Sequence, residues 1–517
     1  MSLTLSVPAI DPVQPHSVET RPKQVTEWLE RLPFASPIDA AQQLLAALSG
    51  MNRMQLGEAD RYKLLTLYRP AIARISQELE TVLVDSGIPP LAKQRQMGAI
   101  LHKLMTEQAY GYKLVLLALT KRRFALGKSK LLPELTTHTL SSLSGILSAS
   151  YRIYSPPPVG VWLEIHHLYR FARESGMADT KVAKTGLSPS LVYRQALLLA
   201  LADPYHMKSD ELDHARLCLD KFGHLSELLV DNKPHGFFIQ TDHDHAIGTP
   251  PAMTGQEALW LRTKALCRHL HESTIKLKTG DSPRRIGLPN GMKAGLSQHL
   301  FVHLVKSWRA GARRAFKRFT IGGNDIRLIT GVTAIYRMLD RPVMPSMPVS
   351  NDTLILKDMD TGLVFNGIAE ASTWRILNDS AGGLALTSTP GAPLNLKVGD
   401  AAAIQENGSG NWSLSVIRWI KMSDIQRVEV GIERLAPQVL PILVRPFRGH
   451  RNASPEPALF IPGFSTLHQQ DRLLLPRHVY QGGMDAEVWH SDRQNNITFG
   501  RVLEQTGGFD LIEFSVF

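Results

Sequence analysis

The chain has 517 residues, of which 43% are hydrophobic and 20% charged, with a formal net charge of +11. That length suggests about two to four domains, and the composition is that of a globular protein, not a fibrous or fully disordered one. The longest apolar runs, such as Leu114–Leu119 and Ala196–Ala202, fall far short of the ~20 residues a membrane-spanning helix needs, and Met1–His16 lacks the Lys or Arg of a signal peptide.

Residues 1–24 are rich in Pro, Ser and Thr without periodicity and are expected to form a disordered tail. From 25 to 275 the pattern predicts an all-α domain. Trp28, Leu29 and Leu32, then Ala41, Leu44, Leu45 and Leu48, recur at three- and four-residue spacing. Further helices are expected over Asp60–Asp85, Pro90–Leu119, Leu135–Tyr151, Val161–Glu174, Pro189–Ala202, Ser209–Phe222 and Gly255–His271. The Pro156-Pro157-Pro158 run stops the chain just before the Val161 helix, where proline is tolerated at a helix start. Residues 233–249, with Pro and Gly, predict a loop with a short hairpin. Cys218 and Cys267 lie in apolar helical contexts, which points to free thiols of a reducing cytoplasm and not to a disulfide framework.

Residues 276–308 predict a linker and a connecting helix whose apolar face is Leu296, Leu300, Val302, Leu304 and Val305. Beyond it the period changes to two. Ile326, Leu328 and Val332, then Trp412, Leu414 and Val416, then Val428, Val430 and Ile432 alternate with polar residues as half-buried strands do. Lys397-Val398-Gly399-Asp400 and Glu406–Gly410 are turns between them. Residues 438–517 carry further strand-like runs at Leu459–Ile461, Arg472–Leu475, Ala486–Trp489 and Phe509–Phe517, and predict a short β-rich extension. Helices first and strands afterwards define an α+β multidomain chain. No repeat at solenoid periods is visible.

Residues 301–350 hold nine Lys or Arg against two acids, which favours an anionic partner. Arg313, Arg314 and Arg318 lie in this stretch, and the segment Asn378-Asp379-Ser380-Ala381-Gly382-Gly383 follows in the β-patterned region. A guanidinium fork can hold a phosphate or the O6/N7 edge of guanine bidentately, which a lysine point charge cannot. On an extended segment Asn378 and Ser380 point the same way and present an amide and a hydroxyl. Gly383, without a Cβ, permits close approach of ligand or backbone, or a positive φ in a turn.

Taken together, Arg314-x-x-x-Arg318 and Asn378-x-Ser380-x-x-Gly383 resemble the two-part nucleotide site of the PilZ family, whose members bind the bacterial second messenger cyclic di-GMP. The resemblance covers residues 309–437 and implies a PilZ-like antiparallel β-barrel there, with Arg313, Arg314, Arg318, Asn378, Ser380 and Gly383 as ligand-binding residues. It implies a cytoplasmic signalling receptor, not an enzyme, with no cofactor beyond the ligand and a protein partner reached through the helical domain. The chain departs from the family in one respect. Arg318 and Asn378 are 60 residues apart, with a Pro- and Met-rich insert over 341–349 between them.

Other constellations weigh less. Asp242-His243-Asp244-His245 has metal-ligand residue types but no third ligand at a recognisable spacing, so a solvated loop is the commoner reading and no metal site is assigned. His166-His167 on an apolar helix predicts one ring in the core and one toward water. Lys121-Arg122-Arg123 with Lys128 and Lys130 is a second basic patch. No Walker loop, Rossmann fingerprint or nucleophile elbow is present. Three rivals to the receptor reading follow: a degenerate scaffold that binds only protein, a nucleic-acid binder using the basic patches, which is disfavoured, and a metal-dependent enzyme built on His243 and His245.

Overall fold

A computed structural model describes residues 3–11, 18–83, 92–121, 131–248, 258–288, 292–309, 325–340, 371–380, 382–389, 395–406, 411–422, 427–447, 454–463, 470–490 and 493–517. The chain divides into two compact units, one running to Arg313 and the other from Arg314 to Phe517.

The first unit contains α1 (Pro22–Glu30), α2 (Pro37–Arg53), α3 (Glu58–Leu83), α4 (Ala92–Lys121), α5 (Leu131–Arg152), α6 (Val161–Glu174), α7 (Pro189–Leu201), α8 (Ser209–Phe222), α9 (Lys264–Lys278) and α10 (Ala294–Trp308). α5 is the hub, buried along almost its whole length, with α4, α6 and α7 packed on it. It carries many hydroxyl residues into the core without leaving them all unpaired. Thr137, Thr139, Ser142 and Ser150 donate to the carbonyls of Pro133, Leu135, His138 and Ile146, one turn back along the helix. Among the described residues no helix is long and apolar enough to cross a membrane.

Some local expectations change. Residues 3–11, which composition assigned to a disordered tail, lie extended on the helical unit: Leu5 is buried, and Ser6 donates its backbone N–H and hydroxyl to Glu164. The predicted helix from Gly255 gives way to a strand before α9. β1 (Glu227–Asp231), β2 (Phe237–Ile239) and β3 (Ala258–Arg262) form an antiparallel sheet in the order β1-β3-β2, an addition to the otherwise helical unit. Leu259 and Leu261 alternate into the helical core, and the Trp260 indole N–H between them donates to the Asp231 carbonyl at 3.1 Å. The Asp242–His245 segment is an exposed loop, as expected, and its Asp244 carboxylate accepts from the N–H groups of Gly160 (2.6 Å) and Leu163 (3.1 Å), capping α6. Among the described residues no group of three or more His, Cys, Asp or Glu is arranged to hold a metal ion.

His166 is the core member of its pair and His167 is half-buried. Its Nε2 lies 2.9 Å from the His245 carbonyl oxygen, which can only accept, so Nε2 carries the proton. Nδ1 therefore accepts from the Tyr193 hydroxyl at 2.6 Å. Burial, above all, pushes the ring's pKa down to about 4 from 6.5. A folded pKa below the unfolded one means that the unfolded chain binds the extra proton, so stability falls as pH drops from 6.5 toward 4. Thermal unfolding of the helical unit is expected to show this acid limb. A His166→Gln variant should flatten it by up to about 1.4 kcal/mol per pH unit. An unchanged slope in the variant would assign the limb to other groups.

The second unit begins with β4 (Asp325–Thr330) and α11 (Val332–Leu339), followed by β5 (Ser372–Ser380), β6 (Gly383–Ser388), β7 (Ala401–Glu406), β8 (Ser413–Met422) and β9 (Val428–Ala436). Gly331, at φ +91°, ends β4 one residue before Val332, which opens α11 instead of continuing the strand. These strands close into a barrel in the order β4-β5-β6-β9-β8-β7. Downstream, β10 (Leu440–Pro446), β11 (Glu456–Ile461), β12 (Arg472–Pro476), β13 (Asp485–His490), β14 (Arg493–Gln505) and β15 (Phe509–Val516) close into another, in the order β10-β11-β12-β15-β14-β13. The β-rich extension is thus a complete second barrel, and its cyclic order repeats that of the first.

Strand alternation gives the second barrel two apolar faces. Ile442, Val444, Leu473 and Ile512 fill its interior. Leu459, Ile461, Leu474 and Leu511 point outward and join Ile329, Val332, Ile335 and Leu414 of the first barrel region in one cluster. α11 is wedged in that cluster, packed on β4 and β7 of one barrel and on β10, β11 and β12 of the other. At its rim Arg418 is held bidentately by Glu504 (2.5 and 3.2 Å), and the Thr506 hydroxyl donates to the Gly399 carbonyl at 2.7 Å.

Candidate functional site

The Asn378–Gly383 segment forms the β5–β6 hairpin of the first barrel, with Ser380 paired to Gly383 across the turn. Simple alternation would send Asn378 to the same face as Trp374 and Ile376, which are buried inside. It does not. The register shifts between Ile376 and Asn378, so Leu377 is an extra residue in a β-bulge. After the bulge Asn378 pairs with Ala385, and Ser380 with Gly383, on the face opposite the buried Leu384 and Leu386. The bulge therefore turns the motif outward.

Each member of the motif then has a distinct setting. Ser380 donates its hydroxyl to the Gly383 carbonyl at 3.0 Å, bracing the turn. Asn378 is half-buried, and its amide makes no hydrogen bond to another described residue. Gly383 is not in a left-handed conformation. Its requirement is steric: a Cβ there would lie 2.0 Å from the Ile432 carbonyl oxygen of β9. Of the two uses foreseen for this glycine, close approach to its own backbone is the one realised within the fold.

Arg434, on β9, is a residue that sequence reasoning missed. Its guanidinium donates to Asp379 Oδ1 at 2.9 Å and to the Ser380 carbonyl at 2.8 Å, while its backbone N–H donates to the Gly382 carbonyl at 3.1 Å. It clasps the hairpin from the neighbouring strand. Only its place one residue beyond the Val430–Glu433 strand pattern hinted at it. Beside it Arg418 bonds Glu433 as well as Glu504. Burial acts to lower the Arg418 pKa, but the Glu504 and Glu433 carboxylates outweigh it and the net shift is upward. Arg418 stays a fixed cation with its charge already matched.

Arg313, Arg314 and Arg318 lie outside the described residues, as do the 122–130 part of the second basic patch and Ala381. The described chain ahead of the arginines is firmly anchored. Trp308, fully buried at the end of α10, donates its indole N–H to the Leu198 carbonyl (2.9 Å) and accepts at its own carbonyl from the Thr263 hydroxyl (2.7 Å).

In the second barrel, β11 and β12 occupy the places of β5 and β6, but residues 462–471 between them contain no Asn-x-Ser-x-x-Gly. Their outer face is the one covered by α11. The Asn-x-Ser-x-x-Gly hairpin thus stands at this position in the first barrel and not in the second.

A closed six-stranded antiparallel barrel that presents an Asn-x-Ser-x-x-Gly hairpin on its outer face, behind a helical domain, is the architecture of a PilZ-type receptor. The chain belongs to the PilZ-domain cyclic di-GMP receptor family. Residues 23–234 match the family model for the N-terminal domain of the cyclic-di-GMP receptor FimW, 367–441 match its middle PilZ domain, and 442–517 match the FimW C-terminal beta-barrel domain. The chain is also 24% identical, over 574 aligned positions, to the cyclic-di-GMP receptor FimW of Pseudomonas aeruginosa, an alignment covering 99% of this chain and 93% of that protein. The arginine cluster falls between the first two matched ranges.

Proposed function

We propose that this chain is a cytoplasmic, non-catalytic receptor that binds cyclic di-GMP on the outer face of the first barrel. The observation that carries the reading is the outward β5–β6 hairpin, clasped by Arg434, in a chain related over its full length to a cyclic-di-GMP receptor. The ligand is a dianion with two guanines. Arg314 and Arg318, with Arg313 beside them, grip phosphate and the guanine O6/N7 edge. Asn378 spends its unused amide on a guanine edge, and Ser380 and Gly383 hold the turn that aims it. Engagement of residues 309–320 by the ligand then acts on the helical unit through the anchored end of α10, and that unit engages a protein partner.

The test is calorimetric titration of cyclic di-GMP into the full chain, followed by hydrogen exchange on the same samples. Wild type is expected to bind with a Kd of about 1 μM or tighter, roughly −8 kcal/mol. Asn378→Ala and Arg314→Ala/Arg318→Ala are each expected to weaken binding about a hundredfold or more without unfolding either barrel. Because the equivalent face of the second barrel is covered, no residual site should survive in these variants. Protection should rise over 290–320 on ligand addition; no change there would sink the proposed route to the helices. Absence of binding near a millimolar would leave the protein-interaction reading.

A further inference from the structure

Residues 3–11 lie extended on the helical unit, and at the start of this segment burial alternates along the chain. Leu5 is buried and Leu3 half-buried against the same core, while Thr4 and Ser6 are exposed. That is the period of an extended chain laid on a surface. At Ser6 the backbone itself is gripped from two sides. Glu164 of α6 accepts the Ser6 N–H (2.6 Å) and hydroxyl (2.8 Å) through Oε1, and Lys113 of α4 donates to the Ser6 carbonyl at 3.3 Å. Further along, the Asp11 N–H donates to the carbonyl of Arg53, the last residue of α2, at 2.8 Å.

The two groups that grip Ser6 also bond each other. The Lys113 ammonium donates to Glu164 Oε2, and the two side chains are 3% and 12% exposed. A covered ion pair adds little stability over apolar side chains of similar volume, because both charges lose their water. What this pair supplies is geometry: a donor and an acceptor set to receive the C=O and N–H of one residue of an extended chain. Gripping the backbone while alternate side chains are pocketed is how folded domains recognise extended peptides. The hold is also shallow. Ile10 is 42% exposed, and lifting Ser6 away returns water to both charges, which offsets part of the lost contact. Segments held by few buried contacts open at the low end of the stability range.

We propose that the surface where Lys113 meets Glu164 is a docking groove for an extended segment of a partner protein, of pattern apolar-x-apolar-Ser/Thr, which residues 3–11 fill in cis until displaced. This rests on the reading that the helical unit engages a protein partner, and names the place and the chemistry. The Glu164 carboxylate bars an acidic residue at the Ser6 position.

The test uses full chains and three fluorescent peptides, with no cyclic di-GMP present, so that its failure leaves the receptor reading standing. One peptide copies residues 3–11, another keeps only Leu3, Leu5 and Ser6 in an alanine and glycine background, and the last copies 3–11 with Ser6→Glu. In wild type the tethered segment competes at an effective concentration on the order of 1 mM, whereas in a Leu3→Asp/Leu5→Asp chain it does not. The copy is expected to bind that variant at least about tenfold tighter than wild type. The pattern-only peptide should bind within about threefold of the copy, and the Ser6→Glu peptide about tenfold more weakly or worse. No binding of the copy to the variant, or equal binding to both chains, overturns the groove. Loss of the pattern-only peptide overturns the partner, since the contact would then be private to this chain. Undiminished binding of the Ser6→Glu peptide overturns the clamp. Should the variant fail to fold, hydrogen exchange in wild type decides. The Ser6 amide must exchange at least about a hundredfold faster than the α5 amides; exchange at their rate means that the segment never lifts, and the proposal falls.

Discussion

Replacing Glu164 with alanine is expected to destabilise the helical unit by about 3–5 kcal/mol, seen as an earlier helical transition in denaturant. The Lys113 side chain is 3% exposed, with Glu164 as its counter-charge and the Ser6 carbonyl as a further acceptor. Removing the carboxylate strands a buried ammonium and also releases Ser6, the tether of the N-terminal segment. Already in the wild type, burial pulls the Lys113 pKa below 10.5 against the opposing pull of Glu164. In the variant that depression deepens. The unfolded chain then binds the proton more tightly than the folded one, so stability recovers as pH rises toward the ordinary lysine range near about 10.4. A Lys113→Met/Glu164→Leu double variant should regain most of the loss, because it leaves no unpaired charge. A loss under about 1 kcal/mol in Glu164→Ala would mean that water reaches Lys113.

Gly383→Ala is expected to cost the first barrel roughly 3 kcal/mol, or about 10 °C in the Tm of the barrel unit. The new methyl group would meet the Ile432 carbonyl oxygen at 2.0 Å, its carbon at 3.0 Å and Glu433 Cα at 3.1 Å. All three are backbone atoms, so no rotamer change relieves the clash and β6 must separate from β9. That movement also loosens the Arg434 clasp on Ser380 and Gly382. The contrast with Asn378→Ala is diagnostic, since that side chain makes no hydrogen bond to another described residue and its loss should leave Tm nearly unchanged. If Gly383→Ala melts like wild type, the strands have slack and the glycine is not a packing requirement.

The helices that the apolar spacing outlined, such as Val161–Glu174 and Ser209–Phe222, recur with the same ends. Helical periodicity is a property of neighbours along the chain, so each amphipathic face is visible without knowing what covers it. The 258–262 strand escaped because five residues with Leu259 and Leu261 suit either a short strand or a helix start. Only pairing with β1 on one side and β2 on the other decides between them. The second barrel escaped for a related reason. Its strand runs were visible, but closure depends on which strand meets which, as when β12 pairs with β15 across more than thirty residues.

The motif shows the same division within a few residues. By itself the sequence determined that Asn378, Ser380 and Gly383 share a turn-prone segment in a β-patterned domain, because turn chemistry and alternation act over two to four residues. It also determined the family likeness, which rests on residue identities at fixed spacing. Tertiary structure alone decided that the hairpin faces outward, that Arg434 clasps it, and that Gly431 lies beneath Trp419. Each of those depends on which residue of one strand faces which of the next, within the β5–β6 and β8–β9 pairs or, for Arg434 and Asp379, across 55 residues, and a one-residue shift reverses every side chain beyond it. The bulges at Leu377 and Arg418 are such shifts, and the sequence around them carries no local mark of them.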